Sequence, residues 1–440
     1  MRFALLPGIV AAILAFTCPV MADPIGYTPV GGESFGMGGA YSADYEDSTA
    51  ILLNPAGTVE PRQKNKKKHE KHKKRKSKGS ISTGFNARLV RRASPDFMKF
   101  SRPGQSLYGY TRNSFMLMST GTTGRFQVTK YGFPMGLGVY LRKSTFSRLS
   151  FERFIGNSGR AAMNKDSGIY EGGVSSAIII GRWAIGLTLK AFYGYSDVGR
   201  YLEYTSDTGS GIANYQYYRQ LWGLGAAIGT RVEITPTLTA GLAIDLPNLT
   251  VYEKDQLRKS GVYRGSKPDS DYKDDYSRAG KRFSGPLIRV GISWKPSYRL
   301  KLSTDITLNP VRAPWENDFS DAHLLSAAMG VSFIAKPRHK VAMGITTRVL
   351  SNAEIRHPAD TRTWAVALSL LYQYSSQPLN LPWVGQARIG VALGLRYTYT
   401  GGKIGGITAN YNENFQNIAF HPAVLHAQAL DTLLRVTIMY

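Results

Sequence analysis

The sequence is poor in the residues from which enzymes commonly build reactive or metal-binding sites. Its 440 residues include one cysteine and seven histidines, without an H-E-x-x-H pattern, a G-x-S-x-G pattern or a phosphate-binding loop. One cysteine excludes a disulfide within the chain and a multi-cysteine metal site. We therefore expect no enzymatic activity, no metal and no other cofactor.

Long apolar runs are also missing after position 22, where no stretch approaches the ~20 consecutive apolar residues that a membrane-spanning helix needs. Residues 1–22 have the pattern of a signal peptide: Arg2, then an apolar run, then small residues at the cleavage site Val20-Met21-Ala22. Cleavage there removes the single cysteine, Cys18. The alternative is a lipid-modified Cys18, which the preceding threonine disfavours. Both interpretations predict an exported protein.

The residues that are abundant fit a transmembrane β-barrel. The chain has 46 glycines, 26 tyrosines and 18 phenylalanines, yet its mean hydropathy is only −0.21. Barrel strands alternate lipid-facing apolar residues with polar ones, so their average hydropathy stays low. An exported chain that is rich in glycine and tyrosine and lacks apolar helices is typical of this class.

Positive charge is concentrated in one short segment. Residues 62–78 contain 11 Lys or Arg and one Glu, a composition too charged to fold alone. Export conflicts with a nucleic-acid partner. We expect residues 61–79 to be a low-complexity linker, or a segment that contacts an anionic partner such as lipid headgroups or cell-wall polymer.

Alternation with a period of two residues predicts an all-β fold, a 14-stranded antiparallel transmembrane barrel over residues 80–440. Short turns alternate with long loops along the chain, and the short turns are expected on the periplasmic side. The predicted strands are 80–91, 105–119, 124–142, 167–180, 183–200, 217–232, 236–247, 284–296, 299–309, 324–335, 339–350, 363–376, 385–400 and 424–440.

Tryptophans and the last strand agree with this assignment. Trp183, Trp294 and Trp383 fall at turn ends of strands and Trp364 at a loop end, as interfacial aromatic girdles require. The final strand alternates apolar residues and ends on an aromatic residue, Tyr440. This ending resembles that of clients of the barrel-assembly machinery, which we expect to be a partner.

Residues 23–60 precede the first strand and predict a compact plug inside the barrel. Gly36, Gly38 and Gly39 allow tight turns and close backbone approach. A corner follows at Asn54-Pro55-Ala56-Gly57, a turn signal with small residues after it. A segment of this size can close a lumen of 14 strands.

These motifs resemble the FadL/TodX family of long-chain fatty acid and hydrocarbon transporters. The match consists of the glycine-rich stretch 36–43, a short acidic interval and the N-P-A motif at 54–56. The resemblance implies an outer-membrane barrel whose plug is a movable hatch. It also extends to more distant barrels, including secretion scaffolds and uncharacterised spirochaete proteins. The basic segment directly after the N-P-A motif departs from the family pattern.

The resemblance further implies a lateral exit for ligand at a kinked third strand. The predicted third strand contains Phe133, Pro134 and Gly136, and proline and glycine both weaken strand pairing. These three residues are the candidate lateral gate. An ordinary bulge is the alternative.

A fatty acid needs a cation for its carboxylate and apolar walls for its tail. The strand pattern directs five basic residues into the lumen as headgroup candidates: Lys190, Arg289, Arg348, Arg388 and Arg396. They could instead pair with Asp44, Glu46 or Asp47 of the plug. For capture from outside, the predicted loop 401–423 offers a hydrophobic patch of Ile407, Phe415, Ile418 and Phe420.

The sequence therefore predicts passive transport of hydrophobic molecules, first of all long-chain fatty acids, across the outer membrane, with outer-membrane lipids around the barrel. The alternatives are a scaffold or surface-exposed adhesin that retains the hatch without transport, and a general diffusion porin, which the plug disfavours.

Overall fold

A computed structural model describes most of the chain. The described residues are 31–60, 78–100, 108–130, 133–154, 159–206, 209–265, 270–279, 282–283, 286–308, 322–351, 362–381, 385–409 and 418–440. The predicted signal peptide and most of the basic segment lie outside them. The predicted plug is described from residue 31 onward.

Fourteen strands form a closed antiparallel wall, which confirms the predicted barrel. The strands are β1 (Lys78–Phe100), β2 (Tyr108–Lys130), β3 (Phe133–Phe154), β4 (Gly159–Ile180), β5 (Trp183–Ser206), β6 (Gly209–Thr235), β7 (Leu238–Asp245), β8 (Leu249–Gly265), β9 (Ser270–Ala279), β10 (Arg282–Phe283), β11 (Leu287–Trp294), β12 (Leu300–Leu308), β13 (Ala322–Lys336), β14 (His339–Ser351), β15 (Arg362–Ser375), β16 (Leu379–Leu381), β17 (Gly385–Ala409) and β18 (Ile418–Met439). β8 follows β7 and pairs with β6, β9 and β10 pair with β8, and β16 follows β15 and pairs with β17, so these four extend wall strands and do not add to the fourteen. β1 pairs with β18 from Ser80↔Met439 to Ala93↔His426, which closes the barrel.

The apolar residues that alternate in the sequence lie on the outer face of the wall, and the residues between them lie on the inner face. In β15, Leu368 is 57% exposed on the outer face, whereas Ala367 is 2% exposed on the inner face. β17 and β18 alternate in the same way. Large apolar side chains exposed on every second position fit contact with hydrocarbon rather than water. Trp183 is exposed at the start of β5, directly after a two-residue turn, as expected for a girdle.

Several of the predicted boundaries are wrong, and the predicted loops 143–166 and 201–216 lie largely in strands β3 to β6. The predicted turn at 120–123 lies inside β2, which continues to Lys130. Gly121 has a φ of 107° and forms part of a bulge against β1, so its turn-like sequence bends a strand instead of ending it. The predicted loop 401–423 is also largely strand, because β17 continues to Ala409 and β18 begins at Ile418.

Residues 31–60 form a compact segment inside the barrel, called the plug below. It contains α1 (Gly32–Gly36) and two 3-10 helices, Ser48–Leu52 and Pro55–Thr58. Asn54 caps the second of these and Pro55 is its first residue, where proline costs no hydrogen bond. Among the described residues, no helix has the length and apolar character to cross a membrane.

Candidate transport pathway and its plug

The plug touches a belt of glycines on the inner face of the wall. A side chain at each of these positions would collide with the plug's backbone or with Asn54. Gly136 faces Thr58, Gly186 faces Pro55, Gly229 faces Asn54, Gly241 faces Ser42, and both Gly330 and Gly344 face Met37. The belt therefore makes room for the plug, and Gly136 has this role as well as any effect on its strand. The sequence shows these glycines at inward-facing positions of the strands, but it does not show that they face the plug.

The N-P-A corner fastens the plug to the wall. The Asn54 amide nitrogen donates to the carbonyl oxygen of Ser42 at 2.8 Å and to that of Thr230 in β6 at 3.0 Å. The amide oxygen accepts from the Ala56 N–H at 2.9 Å. One buried side chain thus joins two parts of the plug and one wall strand.

A second anchor, Asp305 in β12, was missed by the sequence analysis. One carboxylate oxygen of Asp305 accepts the N–H groups of Tyr41 at 2.9 Å and Ser42 at 2.7 Å. Hydrogen bonds to an ionised acceptor are among the stronger ones in proteins. Asp305 follows Lys301 and Ser303 on the inner face of β12, so the alternation alone would have placed it in the lumen.

Three lysines hold the carboxylates of the plug, and we call Lys295, Lys301 and Lys340 the lysine cluster. Lys301 lies 2.5 Å from Glu33 and 2.6 Å from Asp44. Lys340 lies 2.7 Å from Glu33. Glu46 is shared by all three lysines, at 2.6 Å from Lys295, 3.1 Å from Lys340 and 3.2 Å from Lys301.

The lysine cluster sets the charge of Glu46. Burial by itself would raise the pKa of Glu46, but Lys301, Lys340 and Lys295 together hold that pKa well below its usual range. Glu46 therefore stays ionised in this environment, and the contact between plug and wall is electrostatic at neutral pH.

Arginines complete the contact between plug and wall. Arg125 donates to the carbonyl oxygen of Tyr45 and forms an ion pair with Glu60 at 2.5 Å. Arg231 donates to the carbonyl oxygen of Val59 at 3.0 Å and lies 4.4 Å from the Tyr45 ring centre. Lys295 lies 4.8 Å from the same ring. The segment 44–47 is thus surrounded by cations from several wall strands.

The five basic residues proposed for the lumen lie at different levels. Lys190 and Arg289 share Asp245, at 3.8 Å and 2.9 Å, and Arg289 also approaches the carbonyl oxygen of Leu53 in the plug. Arg348 and Arg396 are buried on inner positions of the wall, with partners of their own. Arg388 is exposed and lines a cavity of about 460 Å³ at the periplasmic mouth. Of the plug carboxylates that the sequence analysis assigned to these residues, Asp44 and Glu46 are held instead by the lysine cluster, whereas Asp47 accepts from the Thr49 N–H at 3.1 Å.

A charged group lies beside the plug around Lys190 and Arg289. Arg142 contacts Glu171 at 3.1 Å, and the Tyr140 hydroxyl donates to Glu171 at 2.6 Å. Lys190 acts electrostatically on Glu171 as well as on Asp245. The charged side chains of this group are called the lumenal charge cluster below, and they comprise three cations and two carboxylates. Its members are Arg142, Glu171, Lys190, Asp245 and Arg289.

The wall separates between β2 and β3 next to the lumenal charge cluster. These strands pair only from Thr122↔Leu141 to Lys130↔Phe133. Farther from the periplasm, residues 108–121 pair with β1 and residues 142–154 with β4, and the described residues show no pairing between the two segments. Arg142, a member of the cluster, is the first residue of β3 beyond the paired part.

The predicted gate residues lie below this separation. Phe133 pairs with Lys130, Pro134 with Thr129 and Gly136 with Gln127, and Gly136 also pairs with Ala177 of β4. The strand is therefore paired where proline and glycine predicted a break. Their role as a gate stays a prediction.

The predicted capture patch is not a loop. Ile407 lies in β17 and pairs with Phe420 in β18, while Ile418 pairs with Ala409. Phe415 lies outside the described residues. The role of these residues in capturing ligand stays a prediction. Within the described part of the chain, no group of three or more His, Cys, Asp or Glu side chains could hold a metal ion.

Comparison with known proteins gives a likeness in fold. No protein-family model and no curated protein sequence matches the chain. The solved structure of the monoaromatic hydrocarbon channel CymD has a TM-score of 0.54 and 12% identity, over 95% of this chain and 99% of CymD. A FadL homologue from Pseudomonas aeruginosa has a TM-score of 0.54 and 11% identity, over 96% and 99%. The toluene transporter TodX from Pseudomonas putida has a TM-score of 0.54 and 12% identity, over 95% and 99%. The chain therefore has the fold of these outer-membrane transporter barrels.

Proposed function

We propose that the protein carries long-chain fatty acids passively across the outer membrane, through the lumen and out between β2 and β3. The observation that carries the proposal is the position of the lumenal charge cluster. It lies beside the plug and at the level where β2 and β3 stop pairing. A ligand held there by its headgroup has a lateral opening next to it.

The charge of the cluster favours a carboxylate over a neutral hydrocarbon. Its three cations and two carboxylates give the five side chains a net charge of +1. Charges removed from bulk water are costly unless they are paired. A fatty acid carboxylate would offset the net charge of the cluster, whereas toluene or another neutral hydrocarbon would not.

The outside of the wall supports an exit into lipid. Leu137, Val139 and Leu141 are exposed on the outer face of β3 and lead up to the separation. A hydrocarbon tail that passes between the strands would meet apolar side chains and lipid rather than water. Transfer of the tail into hydrocarbon is favourable, so its release needs no other source of energy.

Uptake of labelled oleate by cells that express the protein tests the proposal. We expect the double variant Lys190→Gln, Arg289→Gln to lose most uptake, because its cluster no longer attracts a carboxylate. Arg182→Gln, at the exposed β4–β5 turn, is the matched control and should transport normally. Uptake of wild-type protein no higher than in cells without it, together with no oleate binding by the purified barrel, would overturn the proposal.

A scaffold or adhesin barrel without transport is the second candidate. It is favoured by the buried ion pairs that cross the lumen-facing side of the wall, Arg88 with Asp431 at 2.5 Å and Arg219 with Glu253. Such pairs make the inner face polar over much of its height. Under this alternative the purified barrel would assemble normally and bind no oleate.

A further inference from the structure

A small cavity at the periplasmic rim is lined by cations that the proposed transport pathway does not use. It has a volume of about 310 Å³ and lies among the β6–β7, β11–β12 and β13–β14 turns. Lys295, Lys301 and Lys340, the lysine cluster, face it together with Arg299. Pro236 and Pro296 supply apolar parts of its wall.

Glu46 of the plug is the carboxylate that lies in this cavity. Glu33 and Asp44 are buried below it and take up part of the charge of Lys301 and Lys340. The Glu46 side chain is still 35% exposed and contacts three lysines. Arg299 faces the same cavity and, among the described residues, pairs with no carboxylate; its guanidinium donates to the Tyr298 hydroxyl at 2.6 Å.

The charges leave the cavity with room for a stronger anion. Four cations line the cavity, and three carboxylates pair with them: Glu33, Asp44 and Glu46. The group therefore has a net charge of +1. Water reaches the partly exposed Glu46 carboxylate and weakens its ion pairs, so they can break while Glu46 stays solvated. An incoming group with several anionic oxygens can contact more of the cations at once than a single carboxylate can.

We propose that this cavity binds a phosphate group, and that Glu46 acts as a built-in competitor which the phosphate displaces. Displacement removes three of the ion pairs that hold segment 44–47 against the wall. The phosphate would thereby loosen the plug from the periplasmic side. This site is independent of the proposed transport function, since its binding can be measured without any hydrophobic ligand.

Two sources could present the phosphate. The first is the headgroup of an anionic phospholipid in the periplasmic leaflet, since Tyr298 beside the cavity is 78% exposed at the rim and aromatic residues favour the membrane interface. The second is free phosphate in the periplasm. The chemistry of recognition is the same, so the experiment has to separate the sources.

A single cysteine in the plug reports its release. Apart from Cys18 the sequence has no cysteine, so Ser48→Cys introduces one thiol into protein that starts at residue 23. Ser48 is 1% exposed and follows segment 44–47 directly. We expect inorganic phosphate, and dihexanoyl-phosphatidylglycerol more strongly, to speed maleimide labelling about tenfold, as expected for a shift of a two-state equilibrium. Chloride at equal ionic strength and dihexanoyl-phosphatidylcholine are the controls.

Three variants identify the site. Glu46→Gln should bind phosphate more tightly and label rapidly without it, because the competitor is gone. Arg299→Gln should weaken phosphate binding, because it removes one of the four cations of the cavity. Arg182→Gln, a rim cation outside the cavity, should behave as wild type. Calorimetric titration of wild-type protein with phosphate requires no variant.

Each outcome decides a part of the proposal. No saturable binding of either inorganic phosphate or dihexanoyl-phosphatidylglycerol, beyond the chloride and phosphatidylcholine controls, would overturn the site. Binding that is insensitive to both Glu46→Gln and Arg299→Gln would place phosphate elsewhere and overturn it too. Saturable binding without faster labelling would overturn the release of the plug. Response to phosphatidylglycerol alone would support the lipid source, and response to both probes would support the shared chemistry.

Discussion

Asn54 belongs to the N-P-A motif, which is visible in the sequence, but the function of its side chain follows only from its contacts in the structure. Its amide makes three hydrogen bonds, two within the plug and one to β6. A buried amide that loses such partners costs about 1–3 kcal/mol per unsatisfied group. The motif therefore works as a fastening between plug and wall as well as a helix cap.

The glycine belt makes the clearest prediction for a single residue. A Cβ at Gly330 would lie 2.5 Å from the Cβ of Met37, closer than packed atoms approach. Overpacking of this kind costs about 1–3 kcal/mol, so we expect Gly330→Ala to displace the plug and to increase ion conductance in planar bilayers. Gly199→Ala is the control, since a Cβ there meets nothing within 4 Å. Equal conductance of the two variants would show that the plug does not depend on this contact.

At the scale of elements, segment 44–47 of the plug depends on ionised carboxylates. Lys301, Lys340 and Lys295 hold the pKa of Glu46 well below its usual range against the opposing effect of burial, and Lys301 and Lys340 also lower the pKa of Glu33. A carboxyl whose folded-state pKa is depressed stabilises the fold above its unfolded value, near 4.3, and loses that contribution as pH falls through the folded value.

We therefore expect the plug to stay closed between pH 7 and pH 5 and to loosen only below about pH 4. Maleimide labelling of Ser48→Cys and bilayer conductance, both followed as a function of pH, measure the effect. Gel mobility of unheated barrel shows whether the wall itself remains folded. If the plug loosens already between pH 7 and pH 5, a group other than Glu33 and Glu46 determines its pH dependence.

β2 and β3 show where sequence patterns mislead. Thr-Gly-Thr-Thr-Gly at 120–124 has the composition of a turn, yet Gly121 absorbs a bulge and the strand continues. Phe133-Pro134 has the composition of a break, yet both residues pair with β2. Local preferences of this strength are decided by the pairing partners, which the sequence does not display.

For the whole molecule, the basic segment can be separated from the barrel. Ten of its 11 basic residues precede β1 and the last, Lys78, begins it. β1 closes the wall with β18 through pairing that starts at Ser80. We expect deletion of residues 62–77 to leave assembly intact, because a segment of this charge cannot form a packed core of its own. Heat-modifiable mobility of the purified protein measures assembly. A barrel that fails to assemble would assign the segment a role in folding.

The sequence alone determined the architecture of the protein. Strand alternation records which face meets lipid, because each lipid-facing position must be apolar and the period of a strand is two. The number of wall strands follows from such repeated patterns. The inward direction of Lys190 and Arg289 was predicted in the same way.

Only the tertiary structure decided which side chains meet in the lumen. Lys301 and Lys340 belong to different wall strands and Glu46 to the plug, yet they converge within 3.2 Å. The separation between β2 and β3 likewise depends on which strands stop pairing at the same height. Closure of the barrel brings distant segments together, and a pattern along one strand contains no information on its partners across the lumen.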